Sequence, residues 1–338
     1  MPDSPTRHGV LAAGNFIVDH VKIIDRWPEQ DTLATIVSQT SSNGGGPYNL
    51  LKDLAILDPN LPLAATCLIG DDPGGRWILD DCAAAGIDTS GITVVPNAST
   101  SYTDAMTVRS NGRRTFFHQR GANALLDIEH FDFSRTTARI FHLGYILLLD
   151  KLDAVYPDHS TGASRLLAMA REAGLITSVD CVSVAHPDFR TIARAALREA
   201  DVFFVNEFEA GQILGSPVET NVRALRNAAS ELASLGQRAT VVLHAPDGSV
   251  SAHPSGHVTT QGSVALPAKA LAGATGAGDA FAAGYLYGIH QNLSESRKLQ
   301  VATNAAAASL THPSPSNGLL SASQCQTHAQ KYGYRRLS

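Results

Sequence analysis

Cysteine is scarce and unpatterned. Cys67, Cys82, Cys181 and Cys325 are scattered through 338 residues, and no Cys-x-x-Cys pair occurs. That excludes a disulfide framework or a cysteine-built zinc site, and the expectation is a reduced, cytoplasmic protein. Long apolar runs are also missing. None approaches the ~18 residues of a membrane span, so no membrane partner is expected. The stretch Met1-Pro2-Asp3-Ser4-Pro5 lacks the apolar core of a secretory signal. Positive charge is not in excess either. With 26 Lys and Arg against 31 Asp and Glu, the net charge is −5 and the pI is near 6.2. No basic footprint for nucleic acid follows from that balance. His253 and His257 are four apart, but Pro254 and Gly256 break any helix between them, so they read as loop histidines rather than a metal pair. What remains is an ordinary globular composition, 44% hydrophobic and 17% charged, long enough for one large α/β core or two domains. There is no internal repeat, low-complexity tract or linker.

The chain is organised around Ala272-Gly273-Ala274-Thr275-Gly276-Ala277-Gly278-Asp279-Ala280-Phe281. Gly273 and Gly278 have the spacing of P-loop glycines, but Asp279 stands where a P-loop needs Lys. The dinucleotide fingerprint fails too, because Phe281 occupies the place of its third glycine. Gly276, Ala277 and Gly278 are small enough for backbone N–H groups to approach a ligand. They precede an apolar run that reads as a helix, whose unpaired N–H groups and dipole favour an anion. Asp279 falls in the first turn, beside that anion. A carboxylate there can take a proton from a hydroxyl while the N–H groups hold charge on a transferring phosphoryl group. A glycine-rich turn with Asp279 as a helix-start residue fits the same spacing.

Ala274 to Phe281 resembles the signature of the ribokinase-like (PfkB) family of carbohydrate kinases, Asp-Thr-Thr-Gly-Ala-Gly-Asp-Ala/Ser/Thr-Phe. The resemblance implies an α/β, three-layer ribokinase-like fold with a mainly parallel central sheet and a small β-sheet lid. It runs from about residue 9 to 320 and implies a single kinase domain over 1–338, with the lid formed from about 16–40 and 101–120. The implied activity is ATP-dependent transfer of the γ-phosphate to a hydroxyl of a small carbohydrate. Asp279 is the implied base, with Gly276, Ala277 and Gly278 as the anion hole.

The chain in order carries the resemblance further. Gly9 to Ala13 reads as an apolar strand, and Asp19 as an acid at its end. In the family an acid here binds sugar hydroxyls, and a carboxylate suits two adjacent hydroxyls; a solvated strand-end carboxylate is the plainer reading. Asn43-Gly44-Gly45-Gly46-Pro47-Tyr48-Asn49 precedes a helix from about Leu50. Gly44, Gly45 and Asn49 match the family's Gly-Gly-x-x-x-Asn, which places Gly45 and Asn49 at the substrate. Gly46 stands where ribokinases have Lys, and Tyr48 replaces a small residue, implying a reshaped, aromatic pocket wall. Asn111-Gly112 between Thr103–Arg109 and Arg113–Gln119 is a hairpin signal. With early strands near 17–24 and 33–39 it makes the lid sheet. Arg120-Gly121-Ala122-Asn123 follows. Arg120 is either a substrate contact through its fork of donors or a loop arginine bonding nearby carbonyls.

From Ile140 onward strands and helices alternate, which argues for a parallel sheet. Ligands bind at the carboxyl ends of such strands, where Asp180 and Asn206-Glu207-Phe208-Glu209 fall. The latter match the family's Asn-x-x-Glu, implying that Asn206 and Glu209 orient Mg²⁺ through water; a capping box is the structural alternative, and both readings can hold. His244-Ala245-Pro246-Asp247-Gly248 loses the first glycine of the family's Leu-Gly-x-x-Gly. Asn304 opens a stretch resembling the helix that borders adenine. Many relatives bind K⁺ through an Asp six residues before the base. Gly273 is there instead, so a monovalent cation is doubtful and little K⁺ dependence is expected. Two further readings stay open: a nucleoside kinase, with Tyr48 stacking on a base, and a non-catalytic relative that binds without turnover. A homodimer through the lid sheets is a family habit that the sequence does not reveal.

Overall fold

The computed structural model describes residues 7–336. In chain order the strands are β1 (Val10–Gly14), β2 (Ile17–Ile24), β3 (Ile36–Gly44), β4 (Leu63–Gly70), β5 (Ile87–Val95), β6 (Tyr102–Val108), β7 (Arg114–Gln119), β8 (Ile140–Ile146), β9 (Ile176–Cys181), β10 (Val202–Asn206), β11 (Thr240–Ala245), β12 (Gly248–Ala252) and β13 (Val258–Gly262). The helices are α1 (Gly46–Leu57), α2 (Pro73–Ala84), α3 (Asp150–Asp153), α4 (Gly162–Glu172), α5 (Phe189–Glu199), α6 (Glu207–Leu214), α7 (Val222–Gly236), α8 (Ala277–His290), α9 (Glu295–Ser309) and α10 (Ala322–Tyr332).

Nine strands form the central sheet in the order β13-β12-β11-β10-β9-β8-β1-β4-β5. All neighbours pair parallel except β11 with β12 and β12 with β13, which are antiparallel. Both faces are buried, as parallel sheets require. In β10, Val202 and Phe204 face the helices α1, α8 and α9, while Phe203 and Val205 face α4 to α7. That period of two follows from alternating side chains along a strand. The three-layer expectation is met.

The lid is a separate four-stranded sheet, β3-β2-β6-β7. β2 runs parallel to β6 and antiparallel to β3, and β6–β7 is the hairpin signalled by Asn111-Gly112. Gly112 takes φ +68°, which a glycine adopts without strain. The lid's early strands run to Gly44, further than the sequence suggested. Asp19 does not end the first strand. Gly14, at φ +122°, lies against the Gly144 carbonyl, where a Cβ would come within 1.6 Å. The chain leaves the central sheet there, and Asp19 becomes the third residue of β2 in the lid.

Candidate active site

The carboxyl ends of β1, β8, β9, β10 and β11 open into two cavities that meet at one point. The first, about 500 Å³, lies between these strand ends and the lid. The second, about 530 Å³, lies beyond β11 and against α9. Asn206, His244 and Gly278 line both.

Gly276 caps α8 in the left-handed region, φ +79°. The helix then starts at Ala277, and the N–H of Ala280 closes the first bond onto the Gly276 carbonyl at 2.9 Å. The N–H of Ala277 makes only a long, 3.4 Å bond to Ala274. Those of Gly276 and Gly278 have no partner among the described residues. Unpaired donors at a helix start attract an anion.

Asp279 sits one residue on and is 3% exposed. Its Oδ1 accepts from the Tyr145 hydroxyl at 2.5 Å and its Oδ2 from Asn49 Nδ2 at 2.7 Å. Burial, reinforced by the Asp180 carboxylate, pushes its pKa up to about 7, and the two hydrogen bonds pull the other way. A base with that value is poised for proton transfer near neutral pH. Asp180 is itself raised by burial, and His142 Nε2, 3.7 Å away, opposes the shift. On the lid side, burial lifts Asp19 to about 6. Its carboxylate lies over Gly44, where a Cβ would come within 2.1 Å of Oδ2. Gly45, φ +97°, passes so close to the Asn15 carbonyl that any side chain would collide. Asp19, Gly45, Asn49 and Asp279 therefore line one cavity.

Asn206 and Glu209 form the capping box of α6. Asn206 Oδ1 accepts from the Glu209 N–H at 2.8 Å, and Glu209 Oε2 from the Asn206 N–H at 3.0 Å. Ser183 Oγ donates to Glu209 Oε1 at 2.7 Å. Burial raises Glu209 to about 7. With both carboxylate oxygens already engaged, direct ligation of a metal is disfavoured, while their remaining lone pairs suit the waters of a hydrated Mg²⁺. Among the described residues no group of three His, Cys, Asp or Glu is placed to hold a metal directly.

Three expected contacts lie elsewhere. Arg120 Nη1 pairs with Asp150 Oδ1 at 2.6 Å and Nη2 donates to the Leu147 carbonyl at 3.3 Å, so the guanidinium does not line either cavity. Asn304 is buried, with its Oδ1 accepting from the Tyr334 hydroxyl at 2.8 Å, and its neighbours Thr303, Ala306 and Ala307 line the second cavity instead. Tyr48 is not a pocket wall. Its ring packs edge-on to Phe16 and its hydroxyl bonds Asp81 inside the α1 side of the core. An aromatic group that the sequence did not single out, Tyr145, lines the site, its ring filling the space beside Gly46 that a side chain there would need. The order of the parallel strands points to Tyr145, because it follows Gly144 at the carboxyl end of β8; no local motif does. Phe116, Thr103 and His118 of the lid also line the first cavity. Arg114 of β7 ties the lid to the glycine loop through Thr275 Oγ1 at 2.6 Å.

A β lid over a carboxylate-lined cavity, joined at a glycine-rich helix start to a second cavity beside the sheet, defines a phosphotransferase of the carbohydrate-kinase class. Residues 10–322 match the model of the pfkB family carbohydrate kinases, and the chain belongs to that family. It is 30% identical to an ATP-dependent ribose-1-phosphate kinase of Halopiger xanaduensis, over 82% of this chain and 83% of the relative. It is 24% identical to a nucleoside kinase of Methanothermobacter thermautotrophicus, over 82% and 81%. The fold is similar to that of Arabidopsis thaliana ribokinase complexed with ribose and ATP, with TM-score 0.78 and 20% identity over 96% and 99% of the two chains.

Proposed function

We propose that this chain transfers the γ-phosphoryl group of ATP to a hydroxyl of a small, uncharged sugar or polyol, with Asp279 as general base. The observation that carries the reading is Asp279 itself: a buried carboxylate with a pKa of about 7, one residue past unpaired N–H groups at the start of α8. The acceptor occupies the first cavity, its hydroxyls on Asp19, Asn49 and the backbone at Gly45. As the acceptor oxygen bonds to the γ-phosphorus, its proton passes to Asp279 and the bond to the β-phosphate oxygen breaks, releasing ADP. The N–H groups of Gly276, Ala277 and Gly278 hold the charge of the transferring group. Asn206 and Glu209 would hold hydrated Mg²⁺, which would supply further charge neutralisation. The apolar slot of Val264, Leu266, Phe281, Ala306 and Leu310 suits the adenine.

The uncharged acceptor follows from the lining of the first cavity. It includes Asp19, Asp180, Glu209 and Asp279 and no Lys or Arg. A sugar phosphate would bring a dianion into that field with no Lys or Arg in the lining to meet it; Arg114, at the margin, is bonded to Thr275. Nucleosides are the second reading, favoured by Phe116 with the apolar wall of Leu148, Val182 and Val184. Gly273 packs against Pro313 and offers no carboxylate, which supports weak K⁺ dependence. Exposed Ile36, Val37, Trp27 and Phe117 on the lid suit a homodimer through that sheet. The test is ADP release across free sugars, polyols, sugar acids, nucleosides and ribose 1-phosphate. Highest kcat/KM with an uncharged acceptor is expected. Highest kcat/KM with ribose 1-phosphate would overturn the charge argument, and no ADP release with any acceptor would favour a non-catalytic binding protein.

A further inference from the structure

Three residues line both cavities. Gly278 has no side chain, and the Asn206 amide is held by Glu209 and Ser183, with one N–H and one lone pair left for a hydrated cation. The third, His244, stands at the end of β11 opposite Asn206 of β10. We propose that His244 is a positioning residue for the nucleotide, its imidazole donating a hydrogen bond to the terminal phosphates where the two cavities meet.

The ring is held by packing rather than by hydrogen bonds. Its centroid lies 5.2 Å from that of Phe281, tilted by 38°. It rests over the first turn of α8, so that a Cβ on Gly278 would lie 3.5 Å from Cε1 and 3.7 Å from Nε2. Neither ring nitrogen has a protein partner among the described residues. A nitrogen in van der Waals reach of Gly278 is in reach of an anion gathered by the N–H of Gly278. Burial pushes the ring's pKa down to about 4, so at neutral pH it keeps one N–H donor and carries no charge. A neutral donor steadies a phosphate oxygen without competing with a cation for it. Phe281 fixes the ring plane, so little side-chain freedom is lost on binding.

This inference rests on the assignment of the second cavity to ATP, and the experiment separates the two. Calorimetry would measure binding of magnesium with the non-hydrolysable analogue AMP-PNP, and of AMP, to the intact protein. For His244→Phe the prediction is about tenfold weaker AMP-PNP binding, the size expected for one hydrogen bond to a charged group, and AMP binding within about twofold. His244→Gln, which keeps a donor, should recover most of the loss. Equal affinity of wild type and His244→Phe for AMP-PNP would overturn the proposal. So would equal weakening toward AMP and AMP-PNP, which marks a packing role. Should the variants fail to fold, ¹⁵N-histidine spectra of the wild type decide. The His244 N–H signal should move on adding AMP-PNP and not on adding AMP; an unmoved signal refutes the contact. A wild type that binds neither nucleotide removes the ATP assignment and this inference with it.

Discussion

The two cavities that meet at Gly278 are nearly equal in size and opposite in chemistry. One gathers four carboxylates and no Lys or Arg; the other carries Glu207 and Arg335, with Asn206 and His244 at the junction, on a lining that is otherwise small or apolar. Every acid in the first cavity is raised. Burial dominates each shift, taking Asp19 to about 6 and both Glu209 and Asp279 to about 7. The pairwise repulsions add to it, as when Asp180 faces Asp279. One side of the junction is thus built to receive hydroxyl protons. The other meets charge on the transferred group chiefly with backbone N–H donors at the start of α8, joined at the junction by His244. The difference explains why the conspicuous motif is an Asp after glycines rather than a Lys after glycines.

Removing the base should break the contrast most completely. Asp279→Asn is expected to lower kcat by about 10²–10⁴, the usual contribution of general-base help, and to leave AMP-PNP binding unchanged or tighter by calorimetry. Retention of more than a tenth of turnover would exclude Asp279 as the base. Next comes the lid acid. Asp19→Ala should raise the acceptor KM roughly 10–100-fold, the worth of hydrogen bonds to a charged group, and leave that of ATP alone. A matched rise in both would move Asp19 out of the acceptor site.

Asp53 tests the contrast from behind. It is fully buried on α1, one turn after Asn49, with neither carboxylate oxygen in a well-formed hydrogen bond. Burial raises its pKa well above the ordinary value; the Ser316 hydroxyl opposes the shift and Asp279 adds to it. Its folded-state proton is one the unfolded chain releases above pH ~4. Stability therefore falls as pH rises from that point toward the folded pKa. Asp53→Asn should raise Tm by about 2–4 °C, with the gain larger at pH 8 than at pH 5. A gain that shrinks with pH would contradict the assignment. The smallest effect belongs to Arg120. Its partner Asp150 is half exposed, and such pairs contribute about 0–1 kcal/mol. Arg120→Ala should change both KM values by less than about twofold, whereas a large rise in acceptor KM alone would return it to the substrate.

Much of the architecture was legible because it is written in local pattern. The alternation of strands and helices, the Asn111-Gly112 hairpin and the glycine-Asp stretch each report on a few adjacent residues. The strand Ile140–Ile146 opens that alternation and the helix Phe189–Glu199 falls within it. What was not legible depends on where strands end in space. Tyr145 reaches Asp279 across 134 residues, and no spacing rule links them. Tyr48 looked like a pocket residue because it replaces a small residue of the family's pattern, yet α1 begins at Gly46 and turns that side chain into the core. Arg120 and Asn304 carry family-like neighbours, but their own partners, Asp150 and Tyr334, are fixed by tertiary packing.

The central claim is that one buried carboxylate, tuned to near neutrality, takes the acceptor proton. The most direct measurement is the pH dependence of kcat/KM for wild type and Tyr145→Phe. In the wild type, activity should fall below an apparent pKa of about 7 as Asp279 takes up its proton. The Tyr145 hydroxyl stabilises the ionised form, so its removal raises the pKa of Asp279 and moves the acidic limb to higher pH. A wild-type limb near 4 that Tyr145→Phe does not move would contradict the account.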